Sequence, residues 1–241
     1  MADKTSTVSN SWNTIFISLG LILTLLWIFH IRFQPNLSEK LSSIEIVVLL
    51  FYPLIVFYWR IGLPVQKWLL YVVILTVYIV VTDPIIHESS HILGNYAIGS
   101  KIIKYQLIPK FWKGEFAHGG WVQSEPITGW LGPIPGLAPY IKDILLLTAG
   151  WIIFKKRRIH NAFLAGFMYV FFCLSPMFDI ISNYSLKLIG RVEGNDFHGV
   201  ALGWGEVWAN GIGILFSIIA LSISIWVILI FKISAKKSLS D

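Results

Sequence analysis

The sequence predicts an all-α polytopic membrane protein of about six transmembrane helices, with a small membrane-associated β-hairpin or sheet between the third and the fourth. Three observations predict it. Only 13% of the 241 residues are charged, where a soluble domain carries about a quarter, and 56% are hydrophobic. The mean hydropathy is +0.70. The apolar residues also gather into runs near the roughly 20 residues that a helix needs to cross the hydrocarbon core. The 11 Trp residues suit anchoring at the two membrane interfaces.

Trp12 to Phe33 is the first such run, and it lacks a small-residue cleavage site after it, so it reads as a span and not as a leader. Ile44 to Leu63 is the second, marked by Pro53 within it and by Trp59-Arg60 near its end. These two make an N-terminal pair within residues 1–67. The third run starts at Trp68, continues without a charge to Val81, and then enters a polar stretch, Asp83 to His91. Leu137 to Phe154 is the fourth and Ala162 to Ile181 the fifth, the latter carrying Pro176 and Asp179. Val207 to Phe231, the sixth, is followed by a basic tail and falls within a C-terminal unit, residues 189–241. Between spans three and four, residues 102–135 hold β-branched and aromatic residues bounded by Gly and Pro, which predicts strands.

A formal charge of +6 would point to nucleic acid in a soluble protein. Here the Lys and Arg residues lie between apolar segments, where they record topology, and nucleic acid is set aside as a partner. Lys155-Lys156-Arg157-Arg158 is the densest cluster, and the positive-inside rule places it in the cytoplasm. Lys101, Lys104, Lys110 and Lys113 then fall on the opposite side. The single Cys excludes a disulfide framework and a Cys-built zinc site.

Inside the third span lies His87-Glu88-Ser89-Ser90-His91. Two imidazoles one helical turn apart face the same way and can bind one Zn²⁺, with Glu88 beside them as a general base. Ionisable side chains at membrane depth are costly, so function is the default reading of such a cluster. A catalytic zinc needs a third protein ligand and an open position. Asp179, Asp143, Asp83, His118, His198 and Glu206 are the candidates. Asp179 is preferred, because it lies as deep in span five as His87 lies in span three. Asp143 reads as an interfacial partner of Lys142, and Asp83 as a supporting carboxylate or kink residue before Pro84. His118, His198 and Glu206 fall in expected loops or span ends. Asn183, one turn after Asp179, reads either as a contact to substrate or as a bond between helices.

The HExxH within an apolar helix, the hairpin element Gly119-Gly120-Trp121-Val122 and the later Ser175-Pro176-Met177-Phe178-Asp179 together resemble the site-2 protease family of intramembrane zinc metalloproteases. The resemblance covers about Trp68 to Leu188, which makes residues 68–188 the expected metalloprotease core. The chain has Ser90 where the family often has Gly, and after Pro176 and Asp179 it lacks the family's Leu-Asp-Gly glycine. The resemblance implies one Zn²⁺ per chain on His87, His91 and Asp179, and Glu88 as catalytic base. It also implies a membrane protein substrate met within the lipid bilayer, with Gly119, Gly120 and Asn183 on the substrate side. It further implies a zinc nearer the cytosolic face, whereas the basic cluster puts the site nearer the other face. The competing readings are a non-proteolytic metal-binding membrane protein, against which Glu88 speaks, and an ion transporter.

Overall fold

The computed structural model describes residues 52–60, 64–108, 120–156, 159–188, 190 and 195–231. The expected first span lies outside the described residues, and of the second only residues 52–60, which are helical, are described. Four helices long and apolar enough to cross a membrane follow or contain the remaining expected spans. Helix α1 is Val65–Ala97, strands β1 and β2 are Ile102–Gln106 and Trp121–Ser124, and α2 is Ile134–Lys156. Helix α3 runs over Ala162–Leu188, and a short α4, Asp196–Trp204, leads into α5, Glu206–Ile230.

The outer face of α1 is a stripe of exposed Leu69, Leu70, Val73, Ile74, Val77 and Val81. Such a stripe on a long apolar helix suits hydrocarbon, where the helix satisfies its own backbone. Its inner face, with Val72, Leu75 and Ile79, packs into one core with Leu147, Leu174 and Ile180. At the end of the bundle far from α4, Phe57 from the 52–60 segment stacks on Tyr169 at 4.7 Å, and Arg60 donates to the carbonyl of Leu229 at 2.6 Å.

Hydrocarbon gives helices no hydrophobic reason to associate, so close approach at small residues matters more than in water. At Gly94 of α1 a Cβ would sit 2.7 Å from Ala138 Cβ and 3.0 Å from Pro135 Cα, which places the start of α2 against the end of α1. Gly213 of α5 lies directly on the Tyr184 ring of α3. Helix α3 contains a feature the hydropathy pattern does not reveal. Pro176 has no N–H to give and crowds the carbonyl four residues back, and the turn before it, Val170–Leu174, widens into a π-turn whose Ser175 N–H bonds Val170 O. The extra residue re-aims everything after it, including Asp179.

The expected β element is a two-stranded antiparallel sheet in which Gln106 faces Trp121 and Tyr105 faces Val122. The sheet lies against α1 beside Glu88. Helices α1 and α3 end, and α2 and α5 begin, at this same end of the bundle, while Lys155 and Lys156 lie at the other.

Replacing Gly94 with Val should force α1 away from α2 and lower stability by about 1–3 kcal/mol, the usual cost of overpacking. Gly211→Ala, where a Cβ meets nothing within 4 Å, should leave it within about 0.5 kcal/mol. Unfolding in detergent micelles compares the two.

Candidate metal centre

His87 and His91 lie on α1 about 15 Å and 9 Å before its C-terminal end, one turn apart on the face turned towards α2 and α3. Each imidazole is fixed from behind. His91 Nδ1 is 2.7 Å from the carbonyl of Pro135, and since a carbonyl only accepts, that nitrogen carries the hydrogen. His87 Nδ1 likewise donates to Asp179 Oδ2 at 2.7 Å. Both Nε2 atoms therefore present lone pairs when the rings are neutral, and they point at each other across 3.1 Å.

A carboxylate closes the group. Asp196 Oδ2 lies 3.2 Å from His87 Nε2, and Asp196 Oδ1 lies 3.3 Å from His91 Nε2. Three acceptors at these separations require a cation between them, whether a proton or a metal ion. Ligands bonded at about 2.0–2.1 Å in a tetrahedron stand roughly 3.3–3.4 Å apart. His87, His91 and Asp196 each offer one ligand atom within 4.8 Å of the others, a spacing that a metal ion between them can close up, and among the described residues this is the group placed to hold an ion.

The structure thus brings Asp196, and not the Asp179 expected as third ligand, into the group with the two histidines. Asp179, 4% exposed, meets the other ring nitrogen of His87, an arrangement common behind metal-binding histidines. Depth alone predicted that the two residues would meet, and they do. What depth could not tell was which nitrogen Asp179 would meet. Asn183 was expected at the substrate or between helices; its amide donates to Asp179 Oδ1 at 3.0 Å, and its own carbonyl accepts from Asn195 at 2.8 Å. It ties α3 to the start of α4.

Asp196 was absent from the expected candidates, although His198, two residues further on, was among them. The local signal for it is the pair Asn195-Asp196. Asn195 Oδ1 caps α4 by accepting from His198 N–H at 3.0 Å, which puts Asp196 in the first helical turn, where a negative charge is favoured. Tyr140 of α2 donates to Asp196 Oδ2 at 2.7 Å. Burial alone would raise the Asp196 carboxyl, but when the imidazoles are protonated the positive charge of His91 and the hydrogen bonds from His87 and His91 outweigh it and hold the group far below the usual carboxylate range. Asp196 is thus anionic.

Glu88 is buried at 8% exposure and sits under the hairpin. A Cβ on Gly120 would overlap Glu88 Cγ and stand 2.7 Å from Gln106 O, so only glycine lets β2 pass this close to Glu88. Gly119 and His118 lie outside the described residues. His198 is part-buried on α4, and Glu206 pairs with Lys187 at 2.5 Å at the start of α5. Asp83 accepts from Ser175 Oγ and braces α1 on α3. Asp143 is fully buried and, as expected, pairs with Lys142 at 2.8 Å, and Lys142 Nζ is also 3.8 Å from Asp179 Oδ2.

No protein-family model, curated protein or solved structure matches this chain. The reading of the centre therefore stands on its own geometry.

Asp196→Ala should abolish stoichiometric metal binding, whereas Asp179→Asn should weaken it by about 10–100-fold, as the loss of a supporting partner does. Competition with a chromophoric chelator measures both. Asp179→Asn weakening binding as much as Asp196→Ala would return the ligand role to Asp179.

Proposed function

We propose that this protein is an intramembrane zinc endopeptidase, hydrolysing peptide segments that lie in or beside the membrane. The observation that supports it most is the convergence of the His87, His91 and Asp196 acceptors on one point, with Glu88 next to His87 in the chain and buried beside it. A structural metal site would be closed by a fourth protein ligand, and among the described residues this one has three. A zinc ion held there supplies an acidified water and a Lewis acid for the scissile carbonyl.

The protein's own residues do the rest. Glu88 takes the proton of the attacking water and returns it to the departing amine. Its burial under Gly120 limits competing water and keeps its carboxylate close to the reacting atoms. Asp179 and Pro135 O keep both Nε2 lone pairs turned inward, and Tyr140 keeps one oxygen of Asp196 oriented. Lys142 and Asn183 hold Asp179 in turn.

A substrate helix hides its peptide groups in its own hydrogen bonds and must unwind locally before cleavage. The two-stranded sheet supports this step, since each strand pairs with only one neighbour among the described residues and can add an extended segment at its other edge. Its contact with Glu88 puts that edge beside the chemistry. The resemblance of the HExxH helix, the Gly120-Trp121-Val122 strand and the Pro176 to Asp179 turn to site-2 proteases supports the same reaction class, with Asp196 in the ligand position.

Glu88→Gln should keep about one zinc per chain and lose at least about 100-fold in hydrolysis of a membrane-embedded peptide, because the base is not a ligand. Metal analysis and gel-based cleavage on the same preparation provide the check. Cleavage at the wild-type rate would exclude Glu88 as the base.

A further inference from the structure

Tyr140 is fully buried in the second turn of α2, and packing holds it from two sides. Its ring stacks on Phe197, the neighbour of Asp196 on α4, with centroids 4.6 Å apart, and meets the His87 ring in a T-shaped contact at 6.0 Å. A phenol so enclosed cannot turn its hydroxyl elsewhere without disturbing both contacts. That hydroxyl donates to Asp196 Oδ2 at 2.7 Å.

The two oxygens of Asp196 are thereby made unlike. Distance does not separate them, since Oδ2 lies 3.2 Å from His87 Nε2 and Oδ1 lies 3.3 Å from His91 Nε2. Hydrogen bonding does. Oδ2 commits a lone pair and part of its charge to the Tyr140 hydroxyl. Among the described residues Oδ1 comes this close only to the His91 ring, so it keeps the greater share of the charge for a cation. A carboxylate can hold a metal ion through one oxygen or through both, and a donor fixed on one oxygen favours the first arrangement.

Losing the hydroxyl would reverse the choice. Once His87 Nε2 turns its lone pair to a metal it cannot donate, and Tyr140 is then the one donor left to Oδ2 among the described residues. A buried acceptor stripped of its donor is unfavourable, and the nearest positive charge for it is the ion itself.

We propose that Tyr140 sets the grip of Asp196 on the metal: its hydroxyl holds Oδ2 back, Oδ1 alone binds, and a place at the ion stays free for the reacting water or carbonyl. The proposal rests on the metal-centre reading above. Tyr140 is a positioning residue on this account, since it touches a ligand and not the reacting atoms.

Co²⁺ reports the number of its ligands without any cleavage, because its visible absorption is strong in a four-coordinate site and weaker in a five-coordinate one. The full chain, purified in micelles and stripped of metal, is titrated with Co²⁺ as wild type and as Tyr140→Phe, which keeps the ring and its two contacts. Both should take up about one Co²⁺ per chain. The wild-type spectrum should be four-coordinate and that of Tyr140→Phe five-coordinate. Acetohydroxamate, which needs a free place at the ion, should bind the variant about 10–100-fold more weakly, the range that losing an outer partner commonly costs a site. A five-coordinate wild type, or identical spectra for the two proteins, would overturn the proposal while Co²⁺ uptake upholds the centre. Folded Tyr140→Phe without Co²⁺ would also overturn it, since Tyr140 would then be needed to keep Asp196 in place and not to choose its oxygen. Wild type that takes up no Co²⁺ would overturn the metal-centre reading itself.

Discussion

A charge inside a membrane has no water to turn to, so each ionised group there must find its partner within the protein. That constraint organises the whole functional end of this molecule. Asp179 on α3 is answered by His87 of α1 and Lys142 of α2, and Lys142 is shared with Asp143. Three helices are thereby locked at one depth by a chain of partnered charges. Removing one member would leave another buried and alone, an outcome that commonly costs about 3–5 kcal/mol. The same chain aims the imidazole of His87, so packing and chemistry depend on one set of contacts.

The cluster is completed from outside the spans. The short α4 carries Asp196 onto the two histidines, while Asn195 caps it and donates to the carbonyl of Asn183 on α3. At the other side the sheet lies over Glu88, and Trp130, stacked on Trp204 at 4.9 Å, joins the segment before α2 to the end of α4. The centre thus sits among α1, α2 and α4 with the sheet alongside.

Much of this was legible in the residues. The third to sixth expected spans correspond to long helices, because a run of about 20 apolar residues leaves few alternatives. The HExxH spacing put two imidazoles on one face, and Gly and Pro bounded a β element where a two-stranded sheet lies. What was hidden depends on direction more than on position. Equal depth said that Asp179 and His87 would meet but not which ring nitrogen would face Asp179, and no hydropathy pattern records the π-turn at Val170–Leu174 that precedes it. Asp196 was missed although its neighbour His198 was weighed; its signal was the Asn cap before it, the start of a short helix outside the expected spans. The pairing of Asp143 with its neighbour Lys142 was legible, whereas the reach of Lys142 to Asp179 was not.

The central claim is that two imidazoles and the carboxylate of Asp196 hold one zinc with a position left open. Zinc K-edge X-ray absorption on the purified protein, calibrated for metal content, tests it most directly. The account predicts about one zinc per chain, four-coordinate, with two imidazole nitrogens and oxygen at about 2.0–2.1 Å and no sulfur, and one imidazole fewer in any zinc retained by His91→Ala. A metal-free wild-type protein purified without chelators, or zinc with the same ligand shell after His91→Ala, would contradict it.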